Sequence, residues 1–279
     1  MPNPHSVDAN GAAIPAIGLG TFRLNGDDCS QAVQWALEAG YRHIDTAKMY
    51  DNETEVGAGL KVAGVPRDEI FVTTKVWRDD IAPGDLERSA EASLRRLGLD
   101  RVDLLLIHWP NDGVPLEAST NALCNAKRRG LARHIGVSNY PSAMLEKAVA
   151  LASEPIVANQ VEYHPYLDQT KVKDAARRHR VAVTSYCPLG RTALLDEPVL
   201  KGIASARGKT VSQIALRWHV QQPGVIAIPK SGTKTHIEQN LAVFDFELTA
   251  DEMARITALA RPDGRVINPA FAPRWDTAA

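Results

Sequence analysis

Three observations predict an α/β fold for this 279-residue chain, a (β/α)8 TIM barrel. Eight short aliphatic or β-branched runs alternate with longer amphipathic stretches, and parallel strands need such crossover helices. The run VDLLLIH over 102–108 is apolar almost throughout, as expected of a strand buried on both faces. The length also suits one barrel, an architecture of about 250 residues.

The elements follow in order along the chain. The first strand is expected over 16–21 and a helix over 31–39. A strand over 42–46 leads into a helix over 53–62. IFVTTKV over 70–76 is strand three, with a helix over 86–97, and 102–108 is strand four, with a helix over 116–129. Strand five covers 134–138, after which Pro141 opens a helix at a first-turn position that tolerates proline. Strands six to eight are expected over 158–163, 182–186 and 225–229. Helices over 171–178 and 211–221 lie between them, and a last helix covers 250–260. Residues 7–14 read as a hairpin turning at Asn10 and Gly11, a plug beneath the barrel. Residues 261–279, rich in proline and polar side chains, read as a C-terminal loop. No linker, repeat or low-complexity segment divides the chain, so residues 1–279 are expected to form a single domain. An open doubly wound sheet is the rival, but it places a three-glycine dinucleotide loop after its first strand. GLGTFR over 18–23 lacks the third glycine, which weakens that reading.

Composition narrows the function. With 32 basic and 33 acidic residues, the chain carries a net charge of −1, so neither nucleic acid nor a membrane surface is an expected partner. Three scattered cysteines make neither a disulfide framework nor a Cys-based zinc site. No apolar run approaches the roughly 18 residues of a membrane span. The first five residues lack a basic segment followed by an apolar one, so the cytoplasm is the expected compartment. The histidines show no metal-type spacing, and no metal is expected.

In a barrel, function sits at the C-terminal ends of the strands. Strand two ends at Asp45, with Tyr50 in the loop beyond, strand three reaches Lys75, and strand four ends at His108. A carbonyl being reduced develops negative charge on oxygen and needs a proton. Tyrosine, with a reference pKa of about 10, is a poor donor near neutrality. A nearby cation stabilises the phenolate and lowers that pKa. Lys75 suits that role, Asp45 would hold the ammonium, and His108 would orient the substrate oxygen. Each residue alone has a plain structural role open to it, as a cap, an ion pair or a packed polar group. Four together on three consecutive strand ends point to acid catalysis.

The order of motifs resembles the aldo-keto reductase family. These motifs are GLGTF (18–22), GYRHIDTA (40–47), YDNE (50–53), TTK (73–75) and VDLLLIHWP (102–110). IGVSN (135–139), NQVE (159–162), HP (164–165), PLG (188–190) and IPKS (228–231) complete the series. With APRWD over 272–276, the pattern is most similar to bacterial members that reduce 2,5-diketo-D-gluconate, methylglyoxal and other small aldehydes and ketones. The resemblance implies an NADPH-dependent reductase of small carbonyl compounds, monomeric, with Tyr50 as the proton donor tuned by Lys75 and Asp45 and with His108 placing the carbonyl. It implies that Ser138, Asn139 and Gln160 hold the cofactor carboxamide and that Tyr186 stacks on the nicotinamide. Gly20, Thr21, Phe22 and Asp45 would lie near the ribose, and Pro188, Leu189 and Gly190 near the pyrophosphate. Phe22, Trp77 and Trp109 would wall the substrate pocket together with Tyr50 and His108, and Trp275 would close it from the tail.

The segment KSGTKTH over 230–236 opens a short helix after strand eight, a place that favours anions. The family resemblance implies that Lys230 and Ser231 meet the adenosine 2′-phosphate and that contacts continue through Gly232, Thr233, Gln239 and Asn240. Where the family carries an arginine, this chain has His236; an ordinary imidazole is mostly neutral at pH 7 and lacks the guanidinium fork. A weakened NADPH preference with measurable NADH use follows as an expectation. Two other functions stay open at this point. A barrel aldolase would use Lys75 as a Schiff-base nucleophile, and a reductase-like barrel would serve as a cofactor-sensing subunit.

Overall fold

The computed structural model describes residues 5–277, so residues 1–4, on which the expectation of no leader rests, lie outside the described residues. Strands β1 (Ser6–Ala9) and β2 (Ala12–Pro15) form the expected hairpin, with Val7 opposite Ile14. Asn10 and Gly11 turn it with φ of 44° and 88°, the left-handed pair that a two-residue turn requires. Asn10 Nδ2 donates to the carbonyls of Ile156 (2.8 Å) and His179 (2.9 Å), and Ala12 and Ile14 pack with Phe71, Leu104 and Ile226. The hairpin therefore covers the start of the strands.

Eight parallel strands follow: β3 (Leu19–Gly20), β4 (His43–Asp45), β5 (Phe71–Val76), β6 (Val102–Ile107), β7 (Ala132–Ser138), β8 (Ile156–Glu162), β9 (Ala182–Tyr186) and β10 (Val225–Ala227). They pair in chain order from β3 to β10, consistent with a (β/α)8 fold. Main-chain bonds join the two edges: Gly18 N donates to Ala227 O (2.9 Å) and Gly20 N to Pro229 O (3.1 Å). A Cβ on Gly20 would stand 2.7 Å from Ile228 O, so this seam needs glycine there.

The helices are α1 (Gly26–Ala39), α2 (Glu53–Val62), α3 (Asp85–Leu97), α4 (Leu116–Arg128), α5 (Ser142–Leu151), α6 (Thr170–Arg178), α7 (Pro198–Arg207), α8 (Val211–Val220), α9 (Lys234–Leu241) and α10 (Ala250–Thr257). Period-two alternation sorts the strand residues into layers. Val72 and Val76 of β5 pack outward with Val33 and Leu37 of α1 and Leu94 of α3, while Phe71 joins Leu104 and Leu106 on the inner face. Lys75 lies on that inner face as well, fully buried.

Several elements depart from the sequence expectation: the first strand, expected over 16–21, is reduced to β3 (Leu19–Gly20), and strand eight and the last helix end earlier, at Ala227 and Thr257. Helix α1 starts five residues earlier than expected, because Asp27 and Asp28 in its first turn favour the helix N-terminus. Helix α7 was not expected; Pro198 sits in its first turn, and the Glu197 carboxylate accepts from Val199 N at 3.2 Å. Pro141 caps α5 from just outside the helix instead of opening it.

Candidate active site

The C-terminal ends of β4, β5 and β6 bring Asp45, Lys75 and His108 to one cavity. Tyr50 reaches it from a 3-10 turn (Lys48–Tyr50) between β4 and α2. That turn is fixed from behind. Asn52 Nδ2 donates to Thr21 O (2.8 Å) and Leu24 O (2.9 Å), while Thr46 Oγ1 donates to Asn52 Oδ1 (2.8 Å). Next to it, Glu53 accepts two bonds from Arg96 (2.8 and 2.6 Å) and one from Thr74, which ties α2 to α3 and β5.

The Lys75 ammonium uses each of its three donors. Nζ donates to Asp45 Oδ1 at 2.6 Å, to Thr46 O at 2.8 Å and to Tyr50 Oη at 3.3 Å. Gln160 Nε2, from β8, donates to the other Asp45 oxygen at 2.7 Å. Burial pulls the ammonium down from its ordinary value while Asp45 pushes it back. A charge this deep is tolerable because it is paired and fully hydrogen-bonded. Tyr50 Oη accepts from Lys75, its one hydrogen bond among the described residues, so the phenol proton is left uncommitted.

The expectation that Lys75 lowers the Tyr50 pKa is reversed here. Burial pushes the phenol well above its usual range, and Asp45 and Cys187 push it further. The reason is charge balance: with Asp45 at 2.6 Å the ammonium acts on the phenol as half of a pair, and the phenolate would be desolvated. Tyr50 therefore holds its proton through neutrality, which is the form an acid needs. The His108 ring stands edge-on to Tyr50, with centroids 5.7 Å apart, and its Nδ1 is buried without a partner. Burial, then Lys75, hold this imidazole well below its ordinary pKa, so it is neutral at pH 7.

An aromatic wall rises beside this group. Trp77 stands edge-on to His108 at 5.4 Å, and Phe22 lies 5.0 Å from Tyr50. The tail supplies a residue that sequence reasoning missed: Phe271 packs edge-on against Trp77 (5.7 Å) and Trp109 (5.5 Å), and Trp275 lies 6.0 Å from Trp109. The tail has no helix or strand of its own over 261–277, so side chains hold it. Buried Glu162, at the end of β8, accepts from Val266 N (2.7 Å), Ile267 N (2.9 Å) and His164 Nε2 (2.9 Å). Asp276 accepts from Ser142 N (2.8 Å) and Ser142 Oγ (2.7 Å) at the start of α5. The NQVE motif thus anchors the tail through its last residue. Glu162→Gln turns one acceptor into a donor facing an N–H, and we expect about 1–3 kcal/mol lower stability in urea. Protease cleavage within the tail should also rise, and unchanged protection there would contradict the anchor.

The residues expected at the cofactor lie in two groups. Buried Ser138, Asn139 and Gln160 and half-buried Tyr186 form one network: Ser138 Oγ donates to Gln160 O (2.8 Å), Asn139 Nδ2 to Ser138 Oγ (3.1 Å) and Tyr186 Oη to Asn139 Oδ1 (2.7 Å). Pro188, Leu189 and Gly190 follow β9. Pro188 is fixed where His219 Nε2 meets its carbonyl at 3.1 Å. At the other end of the seam Lys230 and His236 are exposed, Ser231 is buried and α9 begins after Thr233. Gly232 is exposed, Gln239 is half-buried and Asn240 is buried. Among the described residues Lys230 and Lys234 form no ion pair. Two unpaired ammonium groups beside a helix start suit phosphate, and buried amide groups at the inner end suit a carboxamide. This donor set fits a nicotinamide dinucleotide phosphate.

Comparison with known proteins gives a consistent result. The model of the aldo/keto reductase family matches residues 16–261. The chain is 42 % identical to methylglyoxal reductase DkgB of Escherichia coli O157:H7, over 95 % of this chain and 100 % of that protein. The crystal structure of a candidate 2,5-diketo-D-gluconic acid reductase B superposes with a TM-score of 0.96 at 47 % identity, covering 98 % of each chain. An aldo-keto reductase of Bombyx mori, crystallised in complex with NADP, superposes at 0.88 with 35 % identity, covering 95 % of each chain.

Proposed function

The chain belongs to the aldo/keto reductase family and is an oxidoreductase, and from that premise we propose that it reduces small aldehydes and ketones, methylglyoxal and 2,5-diketo-D-gluconate among them, with NADPH. The observation that carries this reading is the Lys75 ammonium held 2.6 Å from Asp45 and 3.3 Å from the phenol of Tyr50. NADPH, when bound, supplies hydride to the carbonyl carbon. Ser138, Asn139, Gln160 and Tyr186 would hold its nicotinamide end, with Gly20, Thr21 and Phe22 beside the ribose. Pro188, Leu189 and Gly190 would flank its pyrophosphate. Lys230, Ser231, Gly232, Thr233, His236, Gln239 and Asn240 would hold the adenosine end.

Tyr50 gives its proton to the carbonyl oxygen, which as an alkoxide is a far stronger base than a phenolate. Lys75 already donates to the phenol oxygen, so it stabilises the phenolate as the proton leaves, in a site dry enough for that bond to count. Asp45 keeps the ammonium charged and aimed. The neutral His108 ring orients the substrate oxygen by hydrogen bonding, and Trp77, Trp109, Phe22 and Trp275 exclude water. The aldolase alternative fits poorly, since an imine needs a free amine and all three Lys75 donors are engaged. In keeping with the family it resembles, we read the chain as one domain, a cytoplasmic monomer.

The test is NADPH oxidation with methylglyoxal and with 2,5-diketo-D-gluconate. Steady turnover is expected, and cofactor binding without turnover of either compound would instead favour a sensing subunit. Because His236 is exposed and offers no guanidinium fork, NADPH should be favoured over NADH by less than several thousand-fold in kcat/KM. His236→Arg should widen the gap by about tenfold, the value of one charge-assisted contact. A gap that the substitution leaves unmoved would contradict this role.

A further inference from the structure

Arg78 opens a 3-10 turn (Arg78–Asp80) immediately after Trp77, three residues beyond Lys75. Its guanidinium carbon lies 4.6 Å from the centre of the Phe271 ring, within the aromatic wall of the site. Among the described residues no guanidinium nitrogen of Arg78 donates a hydrogen bond, and Nε is buried without a hydrogen-bond partner. The side chain is only 21 % exposed. Its anionic neighbour is Asp79, 3.9 Å from Nε and 68 % exposed, hence largely hydrated. Of the neighbouring cations, Lys48 pairs with Asp80 and Arg265 lies over the Trp275 ring 3.7 Å from buried Glu162, while Arg23, over the Phe22 ring, is exposed and hydrated.

The dry Nε, without a hydrogen bond, is costly unless a ligand completes it, while the two terminal amino groups stay open to solvent and to that ligand. The planar guanidinium fork matches an oxoanion, which it grips with two parallel bonds. Asp79 beside it partly offsets the guanidinium charge and leaves less of it for a dianion, so a singly charged carboxylate suits the place better than a phosphate. We propose that Arg78 reads a carboxylate on the substrate, so that the preferred substrates are aldehydes or ketones bearing an acid group. This rests on the reductase reading above. A neutral aldehyde would fill the aromatic wall and leave the guanidinium unanswered.

The test compares 4-carboxybenzaldehyde with 4-methylbenzaldehyde, which have similar shape and differ in charge, in the unmodified enzyme, Arg78→Gln and Arg78→Lys. The ratio of kcat/KM for the acid to that for the neutral aldehyde should fall about 10- to 100-fold in Arg78→Gln, through KM. Arg78→Lys, which keeps the charge and loses the fork, should retain part of that ratio. A ratio unmoved within about twofold overturns the assignment while leaving the reductase reading intact. So does a fall carried by kcat for both aldehydes. A larger loss on glyceraldehyde 3-phosphate relative to glyceraldehyde would overturn the carboxylate in favour of phosphate. If the unmodified enzyme turns over neither benzaldehyde nor methylglyoxal with NADPH, the reductase reading fails first and this proposal falls with it.

Discussion

Lys75→Met is expected to lower folding stability by about 3–5 kcal/mol, because it leaves a buried carboxylate without its cation. Asp45 is 1 % exposed, and after the substitution only Gln160, among the described residues, would still reach its side chain. Carbonyl reduction should fall at least about 100-fold, the scale of a positioned acid that has lost its support. Urea unfolding checks the first figure and steady-state NADPH oxidation the second. The two effects separate in Lys75→Met combined with Asp45→Asn. A neutral pair of similar volume avoids the stranded charge, so stability should largely return. Activity should not, because the phenolate would still lack an ammonium. A double variant that regained both would show that Lys75 serves only to neutralise Asp45.

Tyr50→Phe is the second large effect and is different in kind. Among the described residues the phenol makes one hydrogen bond, at 3.3 Å, and its ring packs between Phe22 and His108, so losing the hydroxyl should change stability by no more than about 1 kcal/mol. The groups assigned to the cofactor do not include that hydroxyl, and NADPH affinity should stay near that of the unmodified enzyme. Reduction should nevertheless drop at least about 100-fold, because no other described group at the cavity combines a free proton with contact to Lys75. Retained turnover would remove Tyr50 from the mechanism.

Much of the site was legible because strand periodicity carries geometry. Residues 71, 73 and 75 must share one face of β5, and 104, 106 and 108 one face across β6, so Lys75 and His108 face the same interior once the strands are parallel. The Asn10–Gly11 turn and the crossover helices were readable for similar local reasons. Long-range anchoring was not. Phe271 reaches the wall because Glu162 holds residues 266 and 267 and Asp276 holds Ser142, contacts more than a hundred positions apart along the chain. Nothing periodic in 261–277 signals them. Helix α7 was hidden behind a 3-10 segment (Gly190–Asp196) in which Arg191 and Thr192 take left-handed backbone conformations. The Tyr50 acidity was misjudged for a related reason. Neighbours can be guessed from strand ends, but burial depth and the partial cancellation of Lys75 by Asp45 belong to the folded molecule.

A double-mutant cycle on the rate of carbonyl reduction, using Tyr50→Phe and Lys75→Met, tests most directly whether the buried ammonium works through the phenol. If the two act as one unit, removing both should cost about as much as the worse single change, within roughly threefold. Losses that multiply, each change taking its full toll on top of the other, would mean that Lys75 and Tyr50 act separately and that the coupling derived from their geometry is wrong.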